Sequence, residues 1–187
     1  MNNNHFYHDK PVFGLDIGFS SLKVLQIENM GREKQVVGYG VTHFEPGSIV
    51  EGVIKDHESI AKSAYELFAN GITGNISTHR VAVAIPASRT FNRPMKLPHL
   101  KSRELEEAVK LEAEQYIPVP LDQLYLDYEI INQTNEETEL LAVAVPKRIV
   151  DSYMGLIKIL GLEAVAMETT ISAASRLFVE TERSDTP

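Results

Sequence analysis

The sequence predicts an α/β protein: a mixed-sheet unit carrying helices, interrupted by a smaller α+β insertion. Three observations predict it. Apolar runs between residues 11 and 85 follow the order strand, strand, strand, helix, strand. Prolines at 86, 94 and 98 then change the character of the chain, and the pattern up to residue 161 reads strand, helix, strand, strand, helix. After Gly161 one more strand and one more helix resume the unit that the insertion interrupts.

Pro11 to Ile17 is the first predicted strand and Ser21 to Ile27 the second. Both carry apolar residues on both faces, which predicts strands covered on two sides. Gln35 to Phe44 is the third strand, broken by Glu45-Pro46-Gly47-Ser48, after which a short loop is expected. Asp56 is placed to cap a helix whose Ile60, Ala61, Ala64, Leu67 and Phe68 recur at helical spacing, and Gly71 stops it. Arg80 to Ile85 is a β-branched run that reads as a buried strand.

In the middle block, SRTFNRPMKLP is an extended stretch suited to a sheet edge, because proline cannot donate to a ladder. Ser102 is expected to cap a Glu-rich helix with Leu105, Ala108, Val109 and Ala113 on its apolar side. Tyr125 to Asn132 and Leu140 to Val145 form a hairpin across a polar turn. Pro146 opens a helix lined by Ile149, Val150, Tyr153, Ile157 and Leu160. Glu163 to Met167 is the last strand, and Thr169 or Thr170 caps a final helix with Ile171, Ala174 and Phe178 on one side.

Composition narrows the function. The 187 residues and 43% apolar content allow a packed core. With no cysteine, disulfides, thiolate metal sites and cysteine nucleophiles are excluded. A net charge of -8 without a basic run argues against nucleic-acid binding. Membrane spans need about 18 apolar residues in a row, and no run approaches that. The start, residues 1–10, is polar and rich in Asn and His, so it reads as a flexible leader rather than a signal peptide.

The chemistry concentrates in FGLDIGFSSLKVLQI, residues 13–27, a strand, a Gly-containing turn and a second strand. Gly18 allows close approach of a ligand to the backbone, and Ser20 and Ser21 supply hydroxyls. Lys23 adds a positive charge, whereas Asp16 would repel phosphate and suits a hydrated Mg²⁺ instead. An ordinary hairpin with a polar tip and one acid accounts for the same residues.

That turn resembles the first phosphate motif of the actin-like ATPases. Three further stretches are similar to the N-terminal half of the PilM family of type IV pilus assembly proteins: VAVAIPASRTFNRPMKLP, ELEEAVKLEAEQYIPVPLDQLYLDYEII and LLAVAVPKRIVDSYMGLIKILGLEAVAMETT. The resemblance covers about residues 11–180. It implies an actin-like, ribonuclease-H-like subdomain 1A from residues 11–86 and 162–180, and an inserted subdomain 1C, of the type shared with FtsA, from 87–161. Residues 181–187 are expected to be a frayed tail, and the second half of the actin fold is expected to be absent.

The resemblance also implies a cytoplasmic scaffold peripheral to the inner membrane. It would grip the N-terminal cytoplasmic peptide of a PilN-like membrane protein between 1A and 1C and serve pilus biogenesis and twitching motility. ATP with Mg²⁺ is the implied cofactor. Asp16 would organise the metal through water, Gly18, Phe19, Ser20 and Ser21 would cradle phosphate, and Lys23 would contact its oxygens. Phe19 departs from the small residue usual in the family. Glu168 stands where the superfamily places a polar residue that orients the attacking water; a cap acid beside Thr169 is the other reading. With half of the nucleotide site expected to be missing, binding is expected to be weak and the chain alone not catalytic. Self-association through an uncovered apolar flank is expected. An FtsA-like division scaffold and a fragment of an actin-superfamily ATPase or kinase are the alternatives. Arg89, Arg93 and Lys96 could favour an acidic or polar peptide or simply be solvated.

Overall fold

The computed structural model describes residues 10–31 and 33–174. Residues 1–9 of the expected leader, Phe178 of the final helix and the expected tail at 181–187 lie outside them. The chain divides into two compact units, Met1–Pro86 with Ser152–Pro187, and Ala87–Asp151.

The first unit is built on a six-stranded mixed sheet. Its strands are β1 (Phe13–Ile17), β2 (Ser21–Met30), β3 (Glu33–His43), β6 (Thr73–Gly74), β7 (Arg80–Ile85) and β11 (Glu163–Thr169), in the spatial order β11-β7-β1-β2-β3-β6. β11, β7 and β1 run parallel, and β2, β3 and β6 continue antiparallel. The expected short loop after β3 contains a two-stranded ladder of its own, β4 (Ile49–Val50) with β5 (Val53–Ile54).

Strand alternation puts Phe13, Leu15, Ile17, Leu22, Val24, Val81, Val83 and Ile85 into the core on one face. Helix α1 (His57–Glu66) brings Ile60, Ala61 and Ala64 to the same core. Asp56 caps it, its Oδ1 accepting from the Ser59 N–H at 2.9 Å. One π-type turn, Leu67–Gly71, ends it, and Phe68 there meets Phe13 edge-on at 5.8 Å between ring centres. The other sheet face differs from the expectation that both strands of the hairpin are covered on two sides: Leu25 and Ile27 remain 42% and 46% exposed.

The second unit is a three-stranded antiparallel sheet, β8 (Phe91–Pro98), β10 (Glu137–Pro146) and β9 (Leu124–Gln133), with β10 in the centre. Helix α2 (Ser102–Tyr116) adds Leu105, Val109 and Ala113 to a core containing Met95, Leu97, Leu124, Leu140, Ala142 and Ala144. Ser102 is the first helical residue rather than the cap. The cap is Lys101, whose backbone N–H donates to Glu104 Oε2 at 3.3 Å. Both edges of this sheet are blunted. β8 contains Pro94 and Pro98; on β9 the Tyr128 N–H donates to Asp127 Oδ1 at 2.9 Å, and Ile131 bulges out of register.

Helix α3 (Lys147–Ile159) crosses the division, which falls at Asp151 instead of the expected residue 161. Hydrogen bonds within the sheet unit explain the shift. Ser152 Oγ accepts from the Ile54 N–H at 3.1 Å, the Ser152 carbonyl meets His57 Nε2 at 2.8 Å, and Tyr65 Oη donates to the Ile159 carbonyl at 2.7 Å. An apolar stripe shows that a helix is buried but not against which core. The final helix begins at Thr170, and Thr169 caps it by accepting from the Ser172 N–H at 3.1 Å.

Candidate functional site

Register decides which polar side chains meet. Lys23 on β2 pairs with Asp16 on β1, Asp16 pairs with Ala84 on β7, and Ala84 pairs with Glu168 on β11. Glu168, Ala84, Asp16 and Lys23 therefore form one row across four strands on the open face of the sheet. The two carboxylates stand two strands apart, about 10 Å between backbones, with only the Ala84 methyl between them. The row borders a shallow depression of about 650 Å³, whose floor includes Gly14, Leu25 and Ala82.

Asp16 and Lys23 form an ion pair, Oδ2 to Nζ 2.9 Å. The turn beyond them is held by its own backbone: the Gly18 N–H donates to the Ser21 carbonyl at 2.8 Å, and the Phe44 N–H donates to the Ser20 carbonyl at 3.1 Å. Gly18 does not need glycine for its backbone angles; a Cβ there would sit 3.3 Å from Ser21 Oγ, so close approach is what the site requires. Phe19 points outward, 74% exposed, clear of the ladder. Of the six residues expected to bind cofactor, Asp16 and Lys23 are in contact, and Gly18, Phe19, Ser20 and Ser21 follow them as the turn. Glu168 joins the row, half-buried.

Two residues of this region were not picked out as site residues by sequence. Ala84 was visible only as part of an apolar run, although its alternation with Val83 and Ile85 assigns it to the open face. Tyr153, on α3, is fully buried, and its hydroxyl has no hydrogen-bond partner among the described residues. Burial first, and then the negative charge of Asp16, push that hydroxyl up to about 12. Of Arg89, Arg93 and Lys96, the last two are engaged within the second unit. Arg93 stacks on the Tyr116 ring at 4.3 Å, and Lys96 pairs with Glu139 and, at 3.9 Å, with Glu137.

Chemically, a lysine, two hydroxyls and a carboxylate fit one phosphate and a hydrated Mg²⁺, an ion that needs few protein ligands because it keeps its waters. Among the described residues, no group of three or more His, Asp or Glu could hold a metal unaided.

Comparison with known proteins places this geometry in context. The family model described as type IV pilus assembly protein PilM matches residues 14–184. A solved PilM-PilN type IV pilus biogenesis complex is similar over 84% of this chain and 47% of its counterpart, with a TM-score of 0.75 and 25% identity. The cytoplasmic domain of EpsL, an inner-membrane component of the Vibrio cholerae type II secretion system, shares the fold over 84% of this chain and 56% of its own, with a TM-score of 0.56 and 12% identity. Type II secretion system protein L of Xanthomonas campestris pv. campestris is 31% identical over 74 residues, 38% of this chain and 20% of that protein. The chain thus spans about half the length of the pilus protein that it matches.

Proposed function

The chain belongs to the PilM family of type IV pilus assembly proteins, and from that membership we propose that it is an assembly scaffold binding the N-terminal cytoplasmic peptide of a PilN-like inner-membrane protein. The observation that supports this most is the likeness, over most of the chain, to a protein solved together with PilN. Attachment to the membrane is then through the partner. Among the described residues, no helix is long and apolar enough to cross a bilayer. An extended peptide gains its affinity from main-chain bonds and its specificity from side-chain pockets.

The row at Asp16 is the phosphate half of a Mg²⁺-ATP site. Lys23 and the Ser20 and Ser21 hydroxyls take the phosphate, Asp16 orients the water shell of the metal, and Glu168 faces the same depression from two strands away. Bound Mg²⁺ would neutralise phosphate charge. One lysine and one turn hold neither base nor ribose, so the affinity of this chain is weak, with a dissociation constant on the order of 1 mM, and no hydrolysis by the chain alone is proposed.

Calorimetric titration of the folded chain with the synthetic N-terminal peptide of a PilN-like protein tests the partner. Saturable binding is expected, and its absence overturns the reading. The kinship with type II secretion protein L favours a second partner class. Tighter binding of the equivalent peptide from a secretion system would move the assignment there.

A further inference from the structure

A second cavity lies at the other end of the first unit's sheet. Asp16, Ala84 and Glu168 stand toward the C-terminal ends of β1, β7 and β11, whereas His79 and Leu162 immediately precede β7 and β11 and line this cavity. From His79 to Ala84 the chain rises about 16 Å, so the two places are distinct. The cavity holds about 470 Å³, the size of an ordinary ligand site, and every residue lining it belongs to the first unit.

Its walls are fixed. One is the π-type turn Leu67–Gly71 at the end of α1, a rare geometry that recurs at functional sites. Only glycine on β3 lets that turn approach: a Cβ on Gly40 would stand 2.9 Å from the Gly71 carbonyl oxygen. The loop between β6 and β7 is tied down twice. The Asn75 N–H donates to the Val37 carbonyl at 2.8 Å, and the Ser77 N–H donates to Gln26 Oε1 at 2.8 Å. The third wall is the end of α3, joined to α1 by the hydrogen bond from Tyr65 Oη to the Ile159 carbonyl.

The lining has an order. Phe68, Ile72 and Leu160 are half-buried, whereas Asn70, Asn75 and His79 are exposed. None of the last three side chains bonds to another described residue. No Asp, Glu, Lys or Arg is among the described residues that line the cavity, so a charged group entering it would lose water without gaining a partner. A free small molecule, buried over most of its surface, needs polar groups inside the pocket. Here the polar groups stand outside and the apolar ones within. That arrangement matches an apolar side chain projecting from a peptide backbone, whose N–H and C=O groups find both an acceptor and donors on each carboxamide.

We propose that this cavity docks an uncharged, extended peptide segment of a protein partner. One aromatic or aliphatic side chain enters against Phe68, Ile72 and Leu160, and the peptide groups flanking it bond the Asn70 and Asn75 side chains. Main-chain bonds then supply affinity and the cavity supplies specificity. The inference is independent of the phosphate reading of the Asp16 row.

The test is NMR of the ¹⁵N-labelled chain titrated with N-acetyl-alanyl-phenylalanyl-alaninamide, with its glutamyl and lysyl counterparts, and with methyl glucoside. The neutral peptide is expected to bind with a dissociation constant on the order of 1–10 mM. It should shift amides of residues 65–79 and 159–163 and leave those of residues 16–23 unmoved. The charged peptides should bind at least about tenfold more weakly. Asn70→Ala and Asn75→Ala, which remove side chains bonded to no other described residue, should melt with the wild type and bind the neutral peptide about two- to tenfold more weakly, one hydrogen bond each. Shifts confined to other residues, or none at tens of millimolar peptide, overturn the site. Equal binding of the charged peptides, or binding of the glucoside in place of the peptide, overturns the assignment of its occupant. Wild-type affinity in both variants overturns the role of the two carboxamides.

Discussion

Gln26 lies wholly inside the sheet unit, yet both donors and the carbonyl oxygen of its side-chain amide are bonded. Its Nε2 donates to Glu28 Oε1 at 2.8 Å and to Ser77 Oγ at 2.7 Å, and its Oε1 accepts from the Ser77 N–H at 2.8 Å. Replacing it by leucine strands a backbone donor, at a cost of about 2–3 kcal/mol, so Gln26→Leu is expected to melt about 5–10 °C below wild type by calorimetry. Lys23→Ala should behave oppositely. Its ion pair is 51% and 40% exposed at the two side chains, and such pairs contribute under about 1 kcal/mol; the melting temperature should barely move while Mg²⁺-ATP binding falls. Tyr153 gives a pH signature. Its hydroxyl is raised from 10.0 to about 12, so the folded state favours the neutral phenol. That stabilisation is complete below pH 10 and is lost as pH rises toward 12, amounting to about 2–3 kcal/mol. Alkaline unfolding should steepen in this window, and Tyr153→Phe should remove the latest component of the absorbance titration. At this scale the sequence was legible where a charge interrupts an apolar strand, as at Asp16 and Lys23. Ala84 and Tyr153 escaped because small and aromatic residues in apolar stripes look like core until the register is known.

Among the elements, β3 is shaped by close backbone approach. A Cβ on Gly38 would lie 2.3 Å from the Asn75 carbonyl oxygen, whereas one on Gly14 would meet the Leu25 carbonyl at an ordinary 3.7 Å. Gly38→Ala is therefore expected to destabilise by about 1–3 kcal/mol in urea unfolding, and Gly14→Ala to stay close to wild type. The long strands and helices were readable from period alone, including the cap at Asp56. The two-residue strands β4, β5 and β6 were not, since too few residues lie in each for a period to show. Helix α3 was found and expected whole in the inserted unit, whereas the division falls within it, after Asp151; its stripe of Ile149, Tyr153 and Ile157 carries no label of its destination.

In the molecule as a whole, the inserted unit carries its own core around Leu140 and Val109, and the sheet unit carries another around Phe13, Leu15 and Leu22. Separate cores imply separable openings. Leu140→Ala, which removes a fully buried side chain, should cost about 2–5 kcal/mol. In native-state hydrogen exchange it should release amides of residues 87–151 more than those of β1 and β7. The insertion itself was visible in the sequence, because prolines and a changed element order announce it. Its end was not, because nothing in the local pattern of α3 marks the point where its contacts change.

The guarded rims of the inserted unit carry one more consequence. A passing extended chain would meet proline on one side, and on the other an amide already answered by its neighbouring carboxylate. Crowded copies therefore find a poorer template there for fibre growth, and concentrated solutions of the protein should be slow to seed cross-β fibres through these edges.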